Sequence, residues 1–514
     1  MAELIIGGIS LALGVLGVAP CILLLDRTVK TFTGSIHNET LENVKNQMLM
    51  SVEKFEALKK IVGKHYTHHN PSDSNRGDAF AISTYVPMYT NIIQEFNTIW
   101  LQGMTSLETG KKKKNTRRLE RVIEKLRQWD HHILFFQTYL LHDLPTDQLS
   151  TQGHAGDLRR IRQTSEEYIA QGRVRYEVGM LATLALAGPK NVPASKATYV
   201  IRDHHSIDIG LRRTDLKSSA DRDKMAVVAR ALELVDPDTM GLPRCIGIAT
   251  LRQPEHYEMI FRIGGTTDSA GNTQSVTPRS LRQLLSKDSE ANPIDLTSRV
   301  LLAVQLVRSV FYLHITGIVH KNIRPENILI MDQDNASFPE KIGNPYLIGF
   351  EESRSEEQRM LSYRLDQDQG WLFDLYRSDN RTQIGKEMAE YKPLHDIYSL
   401  GILLMEIGFW EPLARWKLVE PSAMQAAKSQ GFLEDFTRND RFYHLSDRDT
   451  ADKRKWRYLE VVEGTMPSTM GTRYTHVVKK CLRCLDNVSP NEGSGKRERI
   501  LAEEILVELQ NISV

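Results

Sequence analysis

Residues 320–327 read His-Lys-Asn-Ile-Arg-Pro-Glu-Asn, the outline of a phosphoryl-transfer loop with an amide in the decisive place. Loops of that kind put an Asp where it takes the proton of an attacking hydroxyl and an Asn where it holds magnesium. Here the base position is Asn322, and an amide accepts a hydrogen bond but removes no proton near neutral pH. Lys321 stands between it and His320. A second stretch, Gly349-Phe350-Glu351, offers Gly where a metal-binding carboxylate belongs. A third, Tyr199-Val200-Ile201-Arg202, offers Arg where a Lys would grip phosphates, and the two cations differ in shape and hydration. No G-x-G-x-x-G precedes it. Four parts of one apparatus are therefore absent or altered. Arg324 and Asn327 remain, either as contacts for a phosphate and a metal or as groups that hydrogen-bond their own loop.

These loops need strands and helices to carry them. From about residue 191 onward, β-branched and aromatic runs at 197–203 and 256–263 predict strands, and 221–235 and 295–316 have the spacing of amphipathic helices. A β-rich part thus precedes a helical one, and the stretch His395–Gly408, with Asp396 near its start, closes the series. Over 191–514, the order and spacing of the loop at 320–327, the segment 346–354 and the helix at 395–408 resemble a protein kinase. The resemblance implies a two-lobed α+β domain, with an N-lobe at about 191–265 and a C-lobe at about 266–514. It further implies that His320 and Phe350 stack in an apolar column and that Asp396 anchors the loop backbone. Arg202, Arg324 and Asn327 are its residual nucleotide or metal contacts, which leaves room for weak ATP binding with no cofactor required.

The first third of the chain has a different pattern. Residues 4–25 carry no charge and meet the length criterion for a membrane span. Met1-Ala2-Glu3 lacks the basic start of a secretory signal, and the glycines at 7, 8, 14 and 17 suit close helix packing in lipid or in a bundle. Apolar residues at helical spacing follow over 38–63, 80–107 and 115–142. Residues 1–150 are therefore expected to form an all-α four-helix bundle, and 151–190 a connector that is helical over 157–187. Lys111, Lys112, Lys113 and Lys114 open the basic run 111–118, expected at a tip between two bundle helices. Such a run is a solvated loop, a contact for anionic lipid or a nucleic-acid patch.

Composition narrows these choices. The chain has 514 residues, 41% hydrophobic, with a net charge of +1, so no global field points to a polyanion. Without interleaved aromatics at the basic run, nucleic acid is not the expected partner. Four cysteines in this length form no disulfide framework, which places the chain in a reducing compartment. Cys481 and Cys484 have CxxC spacing but no second pair, so no metal site is expected.

Taken whole, the chain resembles fungal proteins in which a HeLo-like bundle precedes a kinase-like domain, and it is similar in architecture to the mixed lineage kinase domain-like protein. The resemblance implies a catalytically impaired pseudokinase that regulates a membrane-targeting or cell-death-inducing bundle. Leu4, Ile5, Leu13 and Lys111–Lys114 would then meet an anionic membrane. It also implies self-association through the bundle, an upstream activating protein, and a cytoplasmic protein that joins membranes conditionally. Two alternatives stand beside this one: a soluble interaction adaptor, and an active atypical Ser/Thr kinase.

Overall fold

The computed structural model divides into two compact units, Met1–Arg159 and Arg160–Val514. It describes residues 111–143, 190–203, 206–213, 219–250, 257–264, 278–286, 294–331, 338, 342–355, 373–378, 391–418, 434–438 and 451–486, with scattered positions at 39–54, 98–99 and 501–512. The segment 4–25, most of the helix expected at 80–107 and the connector at 157–187 lie outside the described residues.

In the first unit, helix α1 (Lys112–Asp143) buries Leu119, Val122, Ile123, Leu126, Trp129 and Ile133, which recur at three- and four-residue steps. Each such side chain stabilises by about 1.5–3 kcal/mol when taken out of water. Asp130 shares that buried face, where a lone carboxylate would be costly. Its Oδ2 accepts from Gln47 Nε2 and Lys54 Nζ, both at 2.8 Å, which ties α1 to the helical positions at 39–54. The basic run is not a loop tip. Lys112, Lys113 and Lys114 form the first turn of α1, and with Lys111 all are exposed. Lys and Arg are good helix formers, so the helix starts in the run rather than after it.

The second unit begins with a five-stranded antiparallel sheet in the order β1-β2-β3-β5-β4, built from β1 (Lys190–Asn191), β2 (Thr198–Asp203), β3 (Ser206–Arg213), β4 (Arg244–Thr250) and β5 (Tyr257–Gly264). Between β3 and β4 run helix α2 (Ser219–Leu232) and the short α3 (Pro237–Met240). Register puts Ile209 opposite Phe261 and Leu211 opposite Met259, an apolar face, while Asp208 faces Arg262 on the other side and pairs with it at 2.9 Å. β3 was not expected from the sequence, because its alternate residues are Asp208, Gly210 and Arg212. A half-buried strand with a polar outer face is weakly marked.

After the sheet come β6 (Arg279–Ser280), α4 (Leu281–Ser286), α5 (Leu296–Ile315), β7 (Ile318–Val319), β8 (Ile328–Met331), β9 (Asn344–Leu347), β10 (Arg354–Ser355), α6 (Pro393–Phe409), the pair β11 (Ala414–Leu418) and β12 (Glu434–Arg438), and α7 (Ala451–Leu482). Asp295 caps α5 by accepting from Ser298 N at 2.9 Å. By length and composition, α5 would pass for a membrane span, but it packs on α6 and β9 with most of its residues buried, so it is a core helix. All 17 residues of α6 are buried, and α7 crosses it closely. A Cβ on Gly401 would lie 2.5 Å from the Cβ of Cys481, so glycine is what permits that approach. Gly471, at φ 80°, breaks α7. An antiparallel sheet followed by a helical region is compatible with a kinase-like α+β architecture.

Candidate functional site

Asp396, one turn into α6 and fully buried, organises the loop above it. Its Oδ2 accepts from the backbone N of His320 at 2.7 Å, and its Oδ1 from the backbone N of Lys321 at 2.8 Å. Tyr391 donates its hydroxyl to Oδ1 at 2.6 Å, and His314 Nε2 lies 3.0 Å from Oδ2. Burial alone would raise this carboxyl, but the hydrogen bond and charge of His314 and the Tyr391 hydroxyl hold it below its ordinary value. Lys321 is held at φ 68°, a left-handed conformation that a non-glycine residue adopts only where its surroundings enforce it. The two amide bonds to Asp396 supply that force.

His320 is enclosed between the loop and Phe350. The ring lies 5.0 Å from that of Phe350 in an edge-on arrangement, and Phe350 lies 5.5 Å from Phe261 on β5. Its Nδ1 accepts from Asn322 N at 3.2 Å, so Nε2 carries the hydrogen and donates to Ile348 O at 3.0 Å. Burial pushes its pKa down to about 4, so the ring is neutral and acts as a spacer with two fixed hydrogen bonds.

The chemistry-bearing positions are committed elsewhere. Asn322 donates its amide to Glu351 Oε1 at 3.2 Å. Asn327 donates Nδ2 to Asn322 O at 2.7 Å, and its side chain lies flat against Gly349. A Cβ at Gly349, whose φ is 92°, would fall 2.4 Å from that side chain, so the loop closes only because the position carries no side chain. Glu351 is half-buried, and that burial raises its carboxyl despite the charges of Lys196 and Arg324. Magnesium needs several oxygen ligands in octahedral array. One amide oxygen of Asn327 beside a glycine does not make such a set, so these residues do not fit the metal. Among the described residues, no cluster of three His, Cys, Asp or Glu could hold any metal ion.

Arg202 lies on β2, and its side chain is outside the described residues. One further strand, β3, separates it from α2. The turn between β1 and β2 is folded down: Val192 N donates to Ala197 O at 2.9 Å, Ser280 Oγ donates to Pro193 O at 2.6 Å, and Val192, Ala194 and Ala197 are buried. That turn is thereby fastened to β6. Cys245, Cys481 and Cys484 are buried thiols; burial pushes Cys245 up to about 12, and Cys484 donates to Leu394 O.

Two features went unnoticed in the sequence. Below the loop, the fully buried Arg282 reaches Glu326 Oε1 at 2.8 Å, Glu406 Oε1 at 3.1 Å and Tyr376 OH at 2.5 Å, and Tyr376 donates to Glu406 at 2.9 Å. Burial pushes Glu406 up to about 7, and burial opposes the charge of Arg282 until its two carboxylates and Tyr376 restore it. Their sequence signal was a charge inside an apolar helix, in the stretches Leu281–Ser286 and Pro393–Phe409, which demands a partner. The second feature is Phe373, whose ring carries Arg324 at 3.9 Å, Lys196 at 5.3 Å and Arg377 at 5.6 Å.

Comparison with known proteins adds a family but no activity. The family described as Domain of unknown function (DUF7580) matches residues 255–511, half of the chain. A solved chain from the structure of the CAK complex from Chaetomium thermophilum bound to ATP-gamma-S is similar at 15% identity, covering 61% of this chain and 90% of that chain, with a TM-score of 0.34. No curated protein matches.

Proposed function

The chain belongs to the DUF7580 family, and from that premise we propose that this member is a kinase-like protein without phosphoryl-transfer activity, whose second unit regulates the helical first unit. The observation that carries the reading is the packing of Asn327 against Gly349, with Asn322 at the base position. A carboxylate at either place would be needed for proton removal or metal binding, and the backbone at Gly349 accommodates no side chain. The loop nevertheless keeps a fixed shape through Asp396 and His320. Shape without chemistry fits a domain that switches between states and biases whatever is attached to it.

The first unit supplies the output in this reading, as a HeLo-like bundle that meets anionic membrane. Its support is the uncharged segment 4–25 and the exposed Lys111–Lys114 at the start of α1. A helix N-terminus is already positive, and no acidic residue lies in this first turn, so the combined field favours an anionic surface. Self-association through this unit, an upstream activating protein and a cytoplasmic resting state complete the proposal. Its test is transfer from ATP and magnesium to the full chain itself or to generic acceptors. No transfer is expected, and transfer that Asn327→Ala abolishes would overturn the reading.

A further inference from the structure

The joint between α1 and the helical positions at 39–54 is polar where a permanent core is apolar. Among the described residues of 39–54, the buried ones are Thr40, Val44, Gln47 and Ser51, and the part-exposed Lys54 continues the series. Steps of four and three residues put all five on one face of a helix. Of these, Val44 alone is apolar. Ser51 is fully buried, and its Oγ has no hydrogen-bond partner. On α1, Asp130 receives Gln47 and Lys54 on Oδ2, each at 2.8 Å, while its Oδ1 is enclosed with no partner.

Each feature costs stability that an apolar residue of the same shape would not. A hydroxyl or carboxylate oxygen buried without a partner forfeits its bonds to water. A buried ion pair regains by attraction little more than it loses in hydration, so it sets register better than it supplies strength. The side chain of Lys54 is 27% exposed, and a short displacement returns its ammonium to water. Water entering the joint would likewise satisfy Ser51, Gln47 and both oxygens of Asp130. The joint of α6 with α7 is the opposite case, since every residue of α6 is buried and Gly401 admits Cys481 at close range. Parting the first joint is therefore far less costly than parting the second.

We propose that this polar seam is a built-in parting line, along which the helix at 39–54 separates from α1 while the rest of the chain stays folded. Openings of this kind arise where few apolar contacts are lost. Leu126 and Ile133 lie about one turn to either side of Asp130 on the buried face of α1, so separation uncovers apolar area beside it. The pair of bonds to Asp130 restores register on closing. The inference rests on reading the first unit as the output of the protein, and it gives that output its moving part.

Amide hydrogen exchange of the full chain tests it. In the wild type, amides at 39–54 are expected to exchange about a hundredfold or more faster than the slowest of α6. Gln47→Met combined with Asp130→Leu replaces the seam by apolar side chains of similar shape and leaves Lys54 to turn into water. Exchange over 39–54 should then slow by about tenfold or more, with α6 unchanged. Ser51→Ala is the smaller change. It should slow exchange there about fivefold, of which helix propensity alone supplies about twofold. Thermal melting shows whether the double variant overpacks, in which case Ser51→Ala decides alone. Wild-type exchange at 39–54 as slow as in α6, no slowing in a normally folded double variant, or slowing of no more than about twofold in Ser51→Ala would each overturn the proposal. Exchange is measured without lipid or nucleotide, so its failure leaves the non-catalytic reading and the membrane output to their own tests. A chain that never meets lipid leaves the seam standing.

Discussion

Two parts of the second unit meet at residues 320–322 and obey different rules. On the α6 side, every acceptor of Asp396 is used, by two backbone amides, a tyrosine and a histidine, and the Arg282 cluster is likewise closed by two carboxylates and a phenol. On the Gly349 side, Asn322, Asn327 and Gly349 fill one another's space, and the groups that phosphoryl transfer needs are replaced by an amide and a bare backbone. The difference teaches that holding a loop and using it are separable. The first task requires satisfied buried charge; the second requires charge left available.

The comparison breaks most readily at Asp396. Replacing it by Asn leaves one acceptor oxygen for two amide hydrogens and sets an NH₂ group against a donor. A loss of about 3–5 kcal/mol in chemical unfolding of the full chain is expected, the range for disrupting a buried charged network. If Asp396→Asn is as stable as the wild type, the floor is not what fixes Lys321 in its left-handed conformation.

Next in size is Glu406→Gln, with an expected cost of about 1.5–3 kcal/mol from the bonds to Arg282 and Tyr376. Its pH dependence carries the sharper information. An acid whose folded pKa is raised, here from 4.5 to about 7, stabilises the protein fully below the unfolded value and loses that contribution as pH rises through about 7. The variant lacks this titration. It should therefore lag the wild type more at pH 5 than at pH 8, which unfolding curves at the two values measure. His320 works in the opposite sense, since a base depressed from 6.5 to about 4 loses stability as pH falls through that window, and Glu406→Gln should expose this acid sensitivity more plainly.

How much of this was readable beforehand depended on sequence distance. The helical spacing that predicted 115–142, 221–235 and 295–316 is local, and α1, α2 and α5 lie there. The strands at 197–203 and 256–263 announced themselves by β-branched and aromatic content, and β2 and β5 occupy them. β3, which lies between Arg202 on β2 and helix α2, was hidden by its polar alternate face. Arg282 and Glu406 are 124 positions apart, and no periodicity links them. Phe373 was silent for the same reason: its partners come from a turn at 196 and a loop at 324.

Asn322→Asp sharpens the comparison at smaller cost. It restores the side chain of a base but places a carboxylate where an amide now donates to Glu351 at 3.2 Å. Two like charges raise each other's folded pKa, so the variant should be about 1–2 kcal/mol less stable than the wild type at pH 7 and recover as pH falls toward the unfolded carboxylate value of about 4. It should gain no transfer activity, because Gly349 still supplies no metal ligand. Transfer by this single variant would show that the loop is one residue from catalysis rather than closed to it.

The smallest expected effect on the fold belongs to the first unit, and it separates a membrane-acting protein from a soluble adaptor. Lys112, Lys113 and Lys114 sit in the first turn of α1, where positive charge opposes the helix dipole and the side chains are exposed. Replacing all three by Gln removes that repulsion while Gln keeps similar helix propensity, so stability should change by no more than a few tenths of a kcal/mol, in the favourable direction. Attraction to anionic lipid should respond far more. At about 1 kcal/mol per Lys near the surface, three substitutions weaken binding to phosphatidylserine vesicles by roughly a hundredfold. Flotation of the full chain and of the first 150 residues with such vesicles measures this, alongside melting of both. A variant that folds normally and floats as well as the wild type would remove the lysines from membrane contact, leaving residues 4–25 to carry it. If neither wild-type protein floats, the first unit meets other proteins, and the adaptor reading takes its place.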